Sequence, residues 1–417
     1  MISAEHNVSR HAGTGRQEQE RGPRRRLRPA AIATAAVAGF GLLLAGCSSS
    51  GSSSSATPTG SSSSSGSLSA ATLSQIKADL TTAAAVPSWK APGAAFSAKS
   101  LAGKKVFLLG TNANQFATSF ISGVTAAAQS VGMSVSVAGS ANNVASENVQ
   151  DIENAVTAHA NVIILMAVAP VTISTGLAKA KAAGIPVIET FIGDPQVPSA
   201  ADKALGVYAD ATYCYSCTGQ LAAEWEIVQT GGKVKSVLQQ FPGQPPSDAT
   251  AKGWIDTLKK YCASSCTTTE DNLTFGAQTV QQIQSGAQVA AQDSSVNAIF
   301  PVYDYQMAYM LPELNAASAQ KRIDLLSENA DLAQMQEMNQ GTSVKVDVGN
   351  PVAWDGWAAM DEALRALKGL PAVEDEQLPV RLFDTDNIKS INLGANPATW
   401  YGGAAYQADY DKLWGVS

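Results

Sequence analysis

The sequence predicts an α/β protein built as two doubly wound parallel-sheet lobes facing one cleft. Three observations carry this. From Lys104 onward, short apolar runs of strand length alternate with longer stretches of helical periodicity. After five strands the same alternation starts again, so the two halves share one layout. The chain has 417 residues, 45% hydrophobic and 15% charged, which supplies a large core and exceeds one average domain.

The run 106–110 ends at Gly110 and reads as a buried parallel strand. Residues 117–131 read as a helix, with Phe120, Ile121, Val124, Ala127 and Ala128 at helical spacing. Strands follow at 133–137, 162–166, 186–190 and 204–208. Helices lie between them at 145–158 and 173–183, the second stopped by Gly184. In the second half, strands fall at 234–238, 267–273, 298–302, 323–326 and 344–348. Helices fall at 220–228, 249–261, 279–291, 307–317 and 353–367. Helices between successive strands imply parallel pairing with right-handed crossovers.

Ahead of this body, the basic stretch 24–28 precedes an apolar run from about Ala30 to Leu44, then Ala45, Gly46 and Cys47. This is the order of a secretory signal, and the run is too short and small-sided for a membrane span. Leu44-Ala45-Gly46-Cys47 resembles a bacterial lipobox, which implies cleavage before Cys47 and lipid on its thiol. The expected organisation is a signal region 1–46, with export by the general or twin-arginine route left open. A flexible Ser/Gly-rich linker follows at 47–70, then an N-terminal extension at 71–103. The body is thus expected outside the cytoplasm, anchored to a membrane.

The net charge is -7, and removing the basic signal makes the mature chain more acidic. No basic stripe for nucleic acid is present. Cys214, Cys217, Cys262 and Cys266 form a C-x2-C and a C-x3-C. In an exported protein, disulfides are a better reading than zinc, and four cysteines allow three connectivities.

Several segments resemble a known family. The stretch 179–188, with Gly184-Ile185-Pro186-Val187, is similar to the helix-to-strand step of type I periplasmic binding proteins. Residues 148–153 followed by 161–165 resemble that family's second unit. Residues 298–300 with Tyr303-Asp304 and Met307-Ala308 resemble its strand-Asn-Asp-x-x-Ala step, with Tyr303 where Asn is usual. Gly349-Asn350-Pro351 and Gly356 resemble its last hinge region, and 409–415 the tail of sugar-binding members.

The resemblance implies a ribose-binding-like receptor of an ABC sugar transporter whose lobes close like a hinge on a small polar solute. The N-lobe is then 104–210 with about 350–378, the C-lobe 211–349 with about 379–394, and the tail 395–417. Three crossings are expected, near 209–211, 348–350 and Pro379. Expected ligand contacts are Asn112, Asn114 and Phe116 after the first strand, and Thr190 and Phe191 after the fourth. The latter stand where members often carry Asp-Arg. Asp210, Tyr303, Asp304, Asn329, Asn350 and Trp354 complete the set. For Asp304 an N-cap role competes; for Phe116 and Trp354, core packing competes with stacking on a sugar. Aromatic faces and amides favour a neutral polyhydroxylated solute. The helix ahead of Cys262 spans roughly 18 Å at about 1.5 Å per residue, so the pairs Cys214–Cys217 and Cys262–Cys266 should each bond locally.

An enzyme is the rival class. Past the signal only His159 remains, and no Ser-His-Asp set, phosphate loop or His metal cluster assembles. No paired carboxylates are expected at one strand end. Neither cofactor nor metal is expected, and the chain should act as a monomer. The expected partners are the solute and the permease subunits. A sensor receptor serving a membrane kinase or chemoreceptor would look the same.

Overall fold

The computed structural model describes residues 68–110, 115–140 and 144–417. Cys47, Asn112 and Asn114 lie outside them. The elements in chain order begin with α1 (Ala70–Ala84), β1 (Lys105–Leu109), α2 (Gln115–Ser130), β2 (Ser134–Ala138), α3 (Ala145–Thr157) and β3 (Val162–Met166). Next come α4 (Ser174–Ala182), β4 (Val187–Thr190), α5 (Ala200–Leu205), β5 (Val207–Ala211), α6 (Tyr215–Thr230), β6 (Lys235–Gln240), α7 (Pro245–Cys262) and β7 (Thr267–Asn272). The chain closes with α8 (Thr279–Gln292), β8 (Ala298–Pro301), α9 (Met307–Ala316), β9 (Asp324–Asn329), α10 (Leu332–Gln340), β10 (Val344–Gly349), α11 (Val352–Lys368), β11 (Arg381–Asp384) and α12 (Ala405–Leu413).

Two sheets result, as the alternation predicts. One has the order β2-β1-β3-β4-β5, the other β11-β10-β9-β8-β6-β7. All pairings are parallel except β10–β11. Strands such as β3 are apolar throughout because helices cover both faces. Each sheet carries its own core, with Phe120, Ile164 and Leu364 in the N-lobe and Trp254, Phe300 and Leu325 in the C-lobe.

The sequence misplaces some elements. Residues 204–205 belong to α5, not to the fifth strand. Ser199 caps α5 by accepting from Asp202 N, and Gly206 ends it in the left-handed region, delaying β5 to Val207. Five elements go unread: α1, α5, α10, β11 and α12.

Among the described residues the chain passes between the lobes five times rather than three. Passages follow β5, β10 and α11, near the expected places. Two more come from the appended segments. The strap from Ala84 to Phe96 starts against the C-lobe, where α1 buries Ile76 and Leu80. It ends on the N-lobe, where Phe96 N donates to Leu413 O at 2.9 Å and Ala98 N to Trp414 O at 2.9 Å. The tail runs from Trp400 and Tyr401 in the C-lobe core to Tyr406, Tyr410 and Trp414 in the N-lobe core. Arg381 ties both segments down: Nε donates to Ala84 O at 3.0 Å and the guanidinium also donates to Trp400 O.

The cysteines lie in two separate local pairs. Cys214 caps α6 with Cys217 in its first turn, and Cys262 ends α7 just before Cys266. Their Cα atoms are 5.2 Å and 5.3 Å apart, within disulfide reach. Among the described residues no group of three or more metal-ligating side chains comes together.

Candidate functional site

A cavity of about 290 Å³ lies where strand ends of both sheets meet. From the N-lobe, the start of α2 contributes Gln115, Phe116 and Ser119. From the C-lobe, the end of β9 contributes Asn329, Ala330 and Asp331. The passage from β10 into α11 contributes Asn350 through Trp354, and the tail contributes Asn396, Pro397, Ala398, Trp400, Tyr401 and Tyr406.

The β9 wall is held in an unusual backbone. Asn329 and Ala330 adopt φ of 105° and 56°, the left-handed region that costs a non-glycine residue roughly 1–3 kcal/mol. Two buried carboxyls hold it there. Ala330 N donates to Asp347 Oδ1 at 2.9 Å, and Asp331 N donates to Asp304 Oδ2 at 2.7 Å. Burial pushes both carboxyls well above the usual range, and each one's acidic neighbours add to it. Glu328, just before this wall, is also buried, and burial raises its carboxyl well above the usual range. It accepts from Thr218 Oγ1 at 2.9 Å and from Tyr213 Oη at 3.5 Å. Asn350 Nδ2 donates to Asp355 Oδ2 at 2.5 Å, while Asn350 Oδ1 has no protein partner.

Of the residues expected from sequence, Phe116, Asn329, Asn350 and Trp354 line this cavity, while Thr190, Phe191, Asp210, Tyr303 and Asp304 do not. Thr190 Oγ1 donates to Leu165 O at 2.8 Å. Phe191, at φ 61°, packs edge-on against Phe116 and Phe120 at 4.8 Å and 4.9 Å. Asp304 does not cap the following helix; it binds the loop after β9 instead. Asp210 faces Glu189 across β4–β5. That is a carboxyl pair near strand ends, which the sequence reading did not anticipate. Burial, then the charge of Asp202, raises Glu189 to about 7, and burial likewise raises Asp210.

Trp354 has one face already occupied, since Tyr406 stacks on it at 4.6 Å and 5°. Tyr406, Trp400 and Tyr401 went unread because only the folded tail brings them to the cleft. A second aromatic surface also escaped notice. Phe275 is 58% exposed and stacks on Phe241 at 4.0 Å; Phe241 in turn lies 5.9 Å from Tyr303. These rings stand at the ends of β7, β6 and β8. A large aromatic before Gly276, just past a strand, was the signal available.

The cavity is therefore aromatic and amide-lined. Among the described lining residues Asp331 is the one ionisable carboxyl, raised by burial, and none is Lys or Arg. Such a surface offers stacking faces and neutral hydrogen-bonding groups.

Residues 105–371 match the family model described as periplasmic binding protein domain. No curated protein matches the chain in sequence. Solved structures share its fold. An ABC transporter solute binding protein from Agrobacterium vitis with bound allitol is 17% identical, with TM-score 0.60 over 70% of this chain and 98% of that one. An ABC transporter periplasmic solute binding protein from Actinobacillus succinogenes 130z with bound D-allose is 15% identical, with TM-score 0.59 over 69% of this chain and 100% of that one. A solute binding protein from Mycobacterium smegmatis with bound glycerol is 17% identical, with TM-score 0.60 over 71% and 98%. With its two mostly parallel sheets, its cleft at their strand ends and well over half its length matched, the chain belongs to the periplasmic binding protein domain family.

Proposed function

We propose that the chain is an extracytoplasmic receptor that captures one neutral polyhydroxylated solute, a sugar or polyol, without converting it. The lobes 104–210 with 350–378 and 211–349 with 379–394 close on the solute, which passes to the permease of an ABC transporter. The observation that carries this is the lining: aromatic rings and amides, with no Lys or Arg among the described lining residues to pair an amino-acid or phosphate anion. The allitol, D-allose and glycerol bound by proteins of the same fold agree with it. Cys47 carries the lipid that tethers the body, on the strength of the basic, apolar and small-residue order before it. Among the described residues no helix is long and apolar enough to cross a membrane.

The test is a calorimetric panel of allitol, D-allose, glycerol and common monosaccharides with the purified chain. One tight binder, recovered unchanged, is expected; turnover in proportion to protein would overturn the reading. Phe116→Ala should weaken that binder by about 1–3 kcal/mol, the worth of a buried ring face. Trp354→Ala should weaken it too, in part through loss of the Tyr406 stack. Unchanged affinity in Phe116→Ala would assign that ring to packing alone.

The cysteines bond as Cys214–Cys217 and Cys262–Cys266 in this oxidising setting. Peptide mapping of the unreduced protein should find each pair within one fragment. A fragment joining the 214–217 region to the 262–266 region would contradict it.

A further inference from the structure

We propose that the C-terminal tail is part of the ligand site: Asn396, Pro397, Ala398, Trp400, Tyr401 and Tyr406 form a wall that bounds the solute and restricts it to monosaccharide size. The inference rests on the receptor reading above and adds the limit on ligand size. Three observations carry it.

First, the tail supplies more of the cavity lining than the strand-end loop of either lobe. Second, the wall is built rather than draped. Trp400 Nε1 donates to Asn392 O at 3.1 Å, and its carbonyl accepts from the Arg381 guanidinium. Tyr401 packs edge-on against Phe383 at 5.6 Å, and its hydroxyl occupies the space where a side chain at Gly349 would stand. Tyr406 stacks on Trp354 within the N-lobe core. One end of the wall thus belongs to the C-lobe and the other to the N-lobe. Between them Gly402 and Gly403 have φ of 93° and 75°, a backbone that glycine adopts without strain. Lobe opening bends the wall there, so it encloses the solute only when the lobes are closed.

Third, Asn350 is 2% exposed, lines the same cavity and leaves its Oδ1 without a protein partner. A buried amide oxygen asks for a donor, and a solute hydroxyl beneath the tail supplies one. The volume of about 290 Å³ falls at the small end of ligand sites, which run from about 300 to 1,000 Å³. A single sugar ring or short polyol fits; an oligosaccharide does not.

Ala398 is half-buried and faces the cavity, while Thr399 beside it is exposed and does not line it. With the full chain and the panel above, extended by maltose, Ala398→Trp should weaken the best monosaccharide or polyol at least 100-fold. Thr399→Trp should leave its affinity within twofold, and maltose should not bind the parent chain. Hydrogen exchange on the parent gives a readout that needs no variant. Bound solute should slow the amides of 402–406 at least tenfold, alongside those of 115–119. If no panel member binds the parent, the receptor reading fails and this one with it. If one binds, but Ala398→Trp folds and binds it equally, or 115–119 are protected while 402–406 are not, the tail wall alone is overturned. Tight binding of maltose overturns the size limit.

Discussion

Gly253→Val is expected to cost the protein about 4 kcal/mol or more, a loss reached only by backbone collision, buried charge or comparable damage. In the C-lobe, α6 and α7 touch backbone to backbone. A side chain at Gly253 would run into the carbonyl of Ser216, and one at Gly219 into the carbonyl of Thr250, both far inside van der Waals contact. The obstruction is reciprocal and made of helix backbone, so no rotamer relieves it. The helices must move apart, which unpacks Trp254 and Ala222 from the same core. At about 2–4 °C per kcal/mol for a body of this size, the melting temperature should fall by roughly 10 °C. Gly184→Ala separates collision from conformation. Gly184 sits at φ 70° with open space around it, so the loss there should stay near 1 kcal/mol. A melting temperature for Gly253→Val within two degrees of the parent, by circular dichroism, would remove the close-packing argument.

Glu226→Gln is expected to stabilise the protein by about 3–5 kcal/mol at pH 8 and by almost nothing at pH 4. Glu226 points into the C-lobe core and neither carboxyl oxygen has a partner. Burial, with the charge of Asp324 adding, raises it to about 9 from the usual 4.5. Between those values the folded chain holds a proton that the unfolded chain has released. Stability therefore falls as pH rises through that window, and below it nothing is lost. A glutamine keeps the shape and cannot ionise. Glu189, raised to about 7, and Glu362, raised to about 8, both chiefly by burial, act in the same direction. The parent should accordingly melt lower at pH 8 than at pH 5. Denaturant titrations at both pH values decide it: equal pH dependence in parent and variant would show that Glu226 is not the group responsible.

Much of the fold is legible in the sequence because buried parallel strands carry a local signal. Residues 106–109 and 162–166 are apolar on both faces, and Gly184 stops a helix just where a strand must begin. What escaped reading depends on distant partners. α1 and α12 show few apolar positions, such as Ile76 and Leu80 or Tyr410 and Leu413, and become stable only on lobes assembled from other parts of the chain. β11 has four residues and pairs antiparallel at the edge of its sheet, with nothing periodic to find. α10 mixes Met, Gln and Glu with little contrast between its faces. The site divides the same way. Phe116, Asn329 and Asn350 follow strand ends and were reachable by position. Tyr401 reaches the cavity because the tail folds back onto Gly349, a proximity that no spacing along the chain reveals.

The placement of α1 has a mechanical consequence. This helix packs on α6 and β11, and Leu68 just ahead of it lies against Gly232 at the end of α6. Leu68, the first described residue, thus lies on the C-lobe. A load applied at Leu68 is taken up by α1, α6 and the sheet beneath them, leaving the N-lobe as the free arm of a lever. The two arms, so alike in topology, would then be unequal under load: one is the frame and the other the jaw.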